Sequence, residues 1–494
     1  MSALTVLSGC SYKVAFFPYA SKIVDQDTYE AEDFGHYYKP STLVKPYIDV
    51  LKSNDNPSTK VVPLSSIGSQ KILVLPVAFP DYSLNELDGK EGAEAHLHIQ
   101  NAFFGENRLT SWRSVSGFYD ESSYGKLKLS GEVAPWFTLP SEFEVDALRS
   151  RIRNSGDKLN ETAKIVNHAL FAYQTRFPDR LSEFDQDQDG IVDAVYVIYG
   201  YPYEKKEHNN VFWAFAAYMN RLDSRLDAQA NAYSWSSYHY MNLDVYRKPD
   251  AHTYIHEVGH LLGLTDYYNT NYDDPYAPLG GFDMMDYTVG DHTGLSKLLL
   301  NWTRPYVVRS SGDIKLRPFS ETGDLLLLKN EWNNRANDEY ILLEYYTPTA
   351  LNTQDSSLNA TFKLPKANGI KLYHVDARTA YAIKEGTIDR YYYVNDFEGD
   401  YEGVEFLAHS NSSGSLNQAP MKDFLLYKLV EPKESGNITK DLKLANANSL
   451  FKAGDNFGKT YFESFVFNDG TAFNYDIEIK SLTKDYATIK VEVL

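Results

Sequence analysis

A run of eleven residues, HEVGHLLGLTD at 256–266, sets the tightest limit on what this chain can fold into. Its two histidines, His256 and His260, are four apart. On an α-helix such residues stand one above the other on one face, so both imidazoles can aim at a single point. That is how H-E-x-x-H holds zinc. Glu257, one step round the helix, falls beside such a metal rather than on it, where it can take a proton from a zinc-bound water. Gly263 suits the helix end, because glycine accepts the left-handed conformation found there. The chain can then turn back and bring in Asp266 as third ligand, leaving the fourth position to water, as in catalytic zinc sites.

The rival third ligand is a glutamate on a later helix, as thermolysin-like enzymes use. After Glu257 the next glutamate is Glu321, beyond the expected end of this domain. Asp266 is the expected ligand, with Asp273, Asp274 and Asp283 as competitors. His252 extends the histidine stripe back one turn and is expected to start the helix or to support a ligand from behind.

H-E-x-x-H-x-x-G-x-x-D resembles the metzincin-like zinc peptidases, and specifically the immune inhibitor A family of secreted bacterial metalloproteases. The resemblance implies a methionine-containing turn under the zinc, and residues 280–287, GGFDMMDY, are similar to it. A polarizable, adaptable methionine suits an apolar floor beneath the ligands. Either methionine could serve; Met285 is the choice, since with Tyr287 it gives Met-x-Tyr. Tyr287 is expected to hydrogen-bond the tetrahedral intermediate. The likeness runs over residues 70–310: KILVLPVAF at 71–79 followed by Pro80-Asp81 is similar to the family's opening strand and F-P-D, and Asn301-Trp302 to its close. Asp291 and His292 read as a helix cap rather than as ligands.

A second chemical site stands at residues 184–193, FDQDQDGIVD. Asp185, Asp187 and Asp189 alternate, Gly190 permits a sharp turn, Ile191 offers its carbonyl, and Asp193 follows. These are the first nine positions of a calcium loop, without the bidentate glutamate at the twelfth, where Tyr196 stands. The loop also runs into an expected strand, 191–199, rather than a helix. A structural Ca2+ clip at a strand entrance is the expectation, because clustered carboxylates without a cation repel each other.

At 494 residues the chain is too long for one core. The expected layout is α/β (α+β), a zincin/metzincin-like catalytic domain at 70–309, then all-β sandwich-like modules at 310–494 with a division near 409–440. Residues 92–120, 142–175 and 292–302 carry helical patterns, while 211–217 and 231–236 read as strands, one of them the substrate-binding edge. From residue 310 short alternating runs separated by Gly, Asn, Asp and Ser turns give the all-β reading; His374 and Asp376 there are taken as structural. Residues 11–69 read as a spacer or prosegment. Leu7-Ser8-Gly9-Cys10 resembles a bacterial lipobox, which would put a lipid anchor on Cys10, although the basic first region and long apolar core of a signal peptide are absent. With Cys10 the only cysteine, no intrachain disulfide can form.

A formal net charge of −19 weighs against nucleic acid, whose phosphates would repel the chain. The expectation is a monomeric, secreted or surface-anchored zinc endopeptidase acting on protein or peptide substrates, with Glu257 as general base. Two alternatives remain: an adhesion or binding protein with a vestigial metal site, and a peptidase for glycosylated proteins.

Overall fold

The computed structural model describes residues 35–37 and 64–494, apart from 88, 91, 205–209, 219–222, 269–276, 333–337, 358–363, 385–386, 394–403, 409–410, 412–424, 433–443 and 462–464. Of 35–37, 218, 379–393 and 404–408 it describes the backbone alone. Cys10, Asp273 and Asp274, named above, lie outside the described residues.

The short strand β1 (Gly35–Tyr37) joins a sheet formed far later in the chain. The first large body is built on β2 (Gly68–Ala78), β3 (Leu127–Val133), β4 (Phe137–Thr138), β5 (Val195–Tyr199), β6 (Phe215–Tyr218) and β7 (Ala232–Ser237). The order is β3-β2-β5-β7-β6, with β4 beside β2, and every pair is parallel except β6 with β7. Parallel neighbours require crossovers. The first uses α1 (Ala93–Phe104) and α2 (Val115–Ser122); the second uses α3 (Val145–Ser155) and α4 (Lys158–Arg176).

Successive strand residues face opposite sides. Ile72, Val74, Tyr196 and Ile198 therefore join one core with α1 and α2, while Leu73, Leu75, Val77, Val195 and Val197 join another with α3 and α4. That double burial is why residues 71–79 are apolar almost throughout. The helical pattern at 142–175 is not one helix: Gly156 (φ 70°) ends α3 and the Asp157 carboxylate caps α4. The strand expected at 191–199 starts only at Val195, because residues 185–193 are held in the acidic loop.

Next come α5 (His252–Leu261), α6 (Met284–Tyr287) and α7 (Gly294–Leu299), the last shorter than the 292–302 pattern. The chain continues through β8 (Tyr306–Val308), β9 (Gly312–Leu316), α8 (Phe319–Thr322), β10 (Leu325–Leu328), β11 (Glu339–Tyr346), α9 (Thr353–Ser357) and β12 (Gly369–Asp376). β13 (Thr379–Lys384), β14 (Thr387–Tyr393) and β15 (Val404–Ala408) form a small antiparallel sheet of their own. β16 (Tyr427–Val430), β17 (Asn456–Gly458), β18 (Tyr475–Leu482) and β19 (Ala487–Val493) complete the chain.

This later part is built of largely antiparallel sheets, one in the order β1-β8-β10-β11-β12-β16 and one in the order β17-β18-β19-β9. Leu326, Leu328, Ile341 and Leu343 of the first share a core with Phe457, Ile477, Ile489 and Val491 of the second. The opposite face of the first sheet, with Leu325, Leu327, Leu342 and Tyr373, belongs to the same core as Val115, Ile255 and Leu295 of the α/β body. The six-stranded sheet is thus buried on both faces, one of them against the helices that carry the site.

Candidate active site

Helix α5 begins at His252, and its N-cap, Ala251, has no capping side chain. Asp250 supplies the missing acceptor. One of its carboxylate oxygens accepts from the His252 backbone N–H at 2.9 Å and meets its Nδ1 at 2.6 Å. The imidazole lies flat on Trp112, 4.1 Å between centroids, and its Nε2 reaches Asp355 of α9 at 3.3 Å. Burial pulls the His252 pKa down, but the charges and hydrogen bonds of Asp250 and Asp355 outweigh it and push it up to about 10. His252, partly buried between the two carboxylates, is thus favoured as a cation and anchors the helix start. At the other end Gly263 takes φ 92°. The Leu264 N–H reaches the Gly259 carbonyl and the Gly263 N–H that of His260, the paired bonds of a Schellman stop.

The stop turns the chain back, and Asp266 comes over the helix. One of its carboxylate oxygens lies 3.1 Å from His256 Nε2 and 3.4 Å from His260 Nε2. The ligand atoms of His256, His260 and Asp266 all lie within 4.8 Å of one another. Each ring's Nδ1 faces a backbone carbonyl at 2.8 Å, Met284 for His256 and Leu264 for His260. A carbonyl can only accept, so Nδ1 carries the proton and Nε2 keeps its lone pair for the shared point. Tetrahedral zinc at ~2.05 Å from its ligands sets ligand atoms roughly 3.3 Å apart. The donor set and its spacing therefore fit a zinc ion.

Burial lowers the His260 pKa, but the Asp266 carboxylate raises it overall to about 9. Burial would raise that of Asp266, yet the neighbouring imidazoles hold it well below the usual carboxylate range. The carboxylate beside the two imidazoles thus favours positive charge at the shared point, which a metal ion or a proton can supply. Glu257 is buried on the same helix, 4% exposed, and its backbone carbonyl accepts from Ser234 Oγ of β7 at 2.8 Å.

Both methionines of 280–287 are fully buried in α6, and they differ in what they touch. The Met284 carbonyl holds His256, whereas the Met285 side chain lies under α5 where a Cβ on Gly259 would come 2.5 Å from its sulfur. Tyr287, on the same turn, is about half exposed. Asp283, one of the competing ligands, is not in the cluster of His256, His260 and Asp266. Its carboxylate accepts from Met285 N, Thr293 N and Thr293 Oγ1 at 2.6–2.7 Å, fixing the turn. Asp291 is not a helix cap; it accepts from Ser122 Oγ and pairs with the buried Lys297 ammonium, both at 2.6 Å. His292 packs among Phe118, Tyr119 and Trp302.

Of the five residues expected around calcium, Asp185, Asp187 and Asp189 come together with oxygens within 4.8 Å, and Asp193 stands outside that trio. The Asp185 carboxylate accepts from the N–H groups of Asp189 and Gly190, and that of Asp193 from Gln186 N. Burial, with repulsion from Asp187, Asp185 and Asp189, pushes the Asp193 carboxyl up to about 6. The loop is also tied to the start of β2, where Gln186 accepts from Lys71 N at 2.9 Å.

Other residues at the site carried no sequence signal. Glu344 of β11 accepts from Gly294 N at 2.8 Å and pairs with Lys371 of β12 at 3.2 Å, and Lys371 reaches the Phe282 carbonyl at 3.4 Å. Asn411 bonds the Tyr267 carbonyl at 2.9 Å. These partners are far from the motif in sequence, and only the fold brings them in.

Two histidines and a carboxylate around one point, a buried glutamate on the histidine helix and a buried methionine beneath it make up the candidate metal centre, on a mixed α/β scaffold. Residues 59–297 match the family described as immune inhibitor A peptidase M6, catalytic domain. The family is one of metalloendopeptidases, and the matched stretch contains His256, Glu257, His260 and Asp266. A relative is Immune inhibitor A of Bacillus thuringiensis subsp. alesti, 25% identical over 44% of this chain and 36% of that protein. The chain thus spans about a third of the relative's length.

Proposed function

We propose that this chain is a zinc-dependent endopeptidase that cuts extracellular proteins, working outside the cell or at its surface. The observation that carries the reading is the convergence of His256 Nε2, His260 Nε2 and Asp266 Oδ1 beside a buried Glu257. Those three side chains would hold the metal, and zinc supplies Lewis acidity toward water and the scissile carbonyl. Glu257 takes the proton of the attacking water and returns it to the leaving amine nitrogen, one carboxylate serving as base and then as acid. Strand β6 is the antiparallel end of its sheet, with β7 its partner, so its outer edge can take an extended substrate as a further strand. The Tyr287 hydroxyl, on an exposed ring, would hydrogen-bond the tetrahedral oxyanion.

Asp185, Asp187 and Asp189, with the Ile191 carbonyl and Asp193, would hold a structural Ca2+ that stiffens the entrances of β2 and β5. Among the described residues no helix is long and apolar enough to cross a membrane. The decisive experiment is cleavage of an unfolded protein by the zinc-loaded chain, with Glu257→Gln beside it. The variant should keep its zinc and lose about a hundredfold or more in kcat. Equal turnover by both removes the assignment of Glu257, and no cleavage by zinc-loaded wild type removes the peptidase reading.

A further inference from the structure

We propose that Asn411, from the β-rich part of the chain, is a positioning residue for the metal centre, holding in place the arm that carries Asp266. The inference rests on the zinc reading above. His256 and His260 are placed by the geometry of their helix, but Asp266 lies past the Gly263 stop in non-helical chain. Its place depends on what holds its neighbours.

Tyr267, the next residue, is gripped at both backbone groups. Its N–H donates to the Met285 carbonyl at 3.0 Å, tying the arm to the methionine floor. Its carbonyl accepts from Asn411 Nδ2 at 2.9 Å. Asn411 is fully buried, and the same nitrogen donates to the Tyr427 carbonyl of β16 at 2.7 Å while Oδ1 accepts from Tyr427 N at 3.2 Å. Two carbonyls face the nitrogen and one N–H faces the oxygen, so the amide has one workable orientation. The Tyr267 ring adds a third hold, edge-on to Tyr427 at 5.4 Å with its hydroxyl accepting from Ser296 Oγ. Asn411 thus spans two segments, the ligand arm and strand β16, and it lies beyond residue 297, where the family match ends.

Without the amide, the buried Tyr267 and Tyr427 carbonyls each lose a donor, and the arm, left with its Met285 and ring contacts, spends less of its time in the ligating position. Metal affinity then falls by the fraction of time that Asp266 is in place. The histidines, held by their own helix and by the carbonyls of Met284 and Leu264, keep their geometry.

The test uses the full chain and three variants: Asn411→Ala, Asn411→Asp, and Asn167→Ala. Asn167 is a buried residue of α4, in the core on the other face of the sheet, and serves as a stability control. Zinc affinity is read by competition with a chromophoric chelator, coordination by the visible spectrum of the cobalt-substituted protein, and folding by Tm. Both Asn411 variants should bind zinc about tenfold or more weakly and alter the cobalt bands, while Asn167→Ala lowers Tm without touching either. Should Asn411→Ala fail to fold, the near-isosteric Asn411→Asp, which keeps the acceptor and loses the donor, carries the comparison. Wild-type affinity and an unchanged cobalt spectrum in the folded Asn411 variants overturn the proposal. A wild type that takes up no zinc instead removes the metal reading beneath it.

Discussion

A chain that ends at residue 310 keeps the whole family-matched region, yet it should not fold to a native metal site. The reason is the shared core. Leu325, Leu327, Leu342, Val375 and Leu429 are at most 1% exposed and belong to the cluster that also contains Ile255 of α5 and Leu295 of α7. Burying one such side chain contributes ~1.5–3 kcal/mol, so these five represent roughly 7–15 kcal/mol across the join. That is as large as the whole stability of a typical domain, about 5–15 kcal/mol. The cut also strips polar partners: Gly294 N loses Glu344, His252 loses Asp355, and the Tyr267 carbonyl loses Asn411. The shortened chain should retain far-UV ellipticity from α1–α4 but lose near-UV signal, bind a hydrophobic dye, and melt broadly. A sharp urea transition with full-length zinc affinity would refute this reasoning, by showing that the α/β body closes its own core.

Gly259→Ala puts a Cβ 2.5 Å from the Met285 sulfur, and overpacking of that kind costs about 1–3 kcal/mol; an unchanged Tm would mean the methionine simply moves aside. Lys371→Met leaves Glu344, 1% exposed, without its partner at 3.2 Å, a loss of about 3–5 kcal/mol. Most of it should return in the Lys371→Met, Glu344→Gln double variant, and urea midpoints that fail to recover would reject the importance of the pair. His252 is raised to about 10 in the folded state from ~6.5 when unfolded, so its contribution is complete below about pH 6.5 and is lost as pH rises toward 10. Stability of the metal-loaded chain should therefore fall across that window more steeply in wild type than in His252→Gln; parallel curves would sink the assignment. Removing Ca2+ with a selective chelator should lower Tm, and Asp187→Asn should abolish that response, whereas equal melting with and without chelator removes calcium from residues 185–193.

The metal motif was legible because its chemistry is local. His256, Glu257 and His260 lie within one helix, and Gly263 stops it where a left-handed residue was expected. The turn that Gly263 makes brings Asp266 within reach, and the three ligand atoms do converge. Residues 71–79, apolar on both faces, already required a strand buried between layers. Element limits were less legible: a two-residue break, Gly156 and Asp157, divides an otherwise continuous helical pattern.

By itself the sequence determined the class of chemistry, the histidine helix and its stop, and the change from mixed α/β to antiparallel β architecture. Each of these depends on spacings of a few residues or on the period of an element. Tertiary structure alone decided that Asp283 braces the methionine turn instead of serving as a ligand, and that Asp291 pairs with Lys297. It also decided that Glu344, Lys371, Asp355 and Asn411 come to the site from the β-rich part. Such partners are chosen by burial: a polar group shut away from water must be paired, and the groups that pair it are whichever the packing of distant segments brings within about 3 Å.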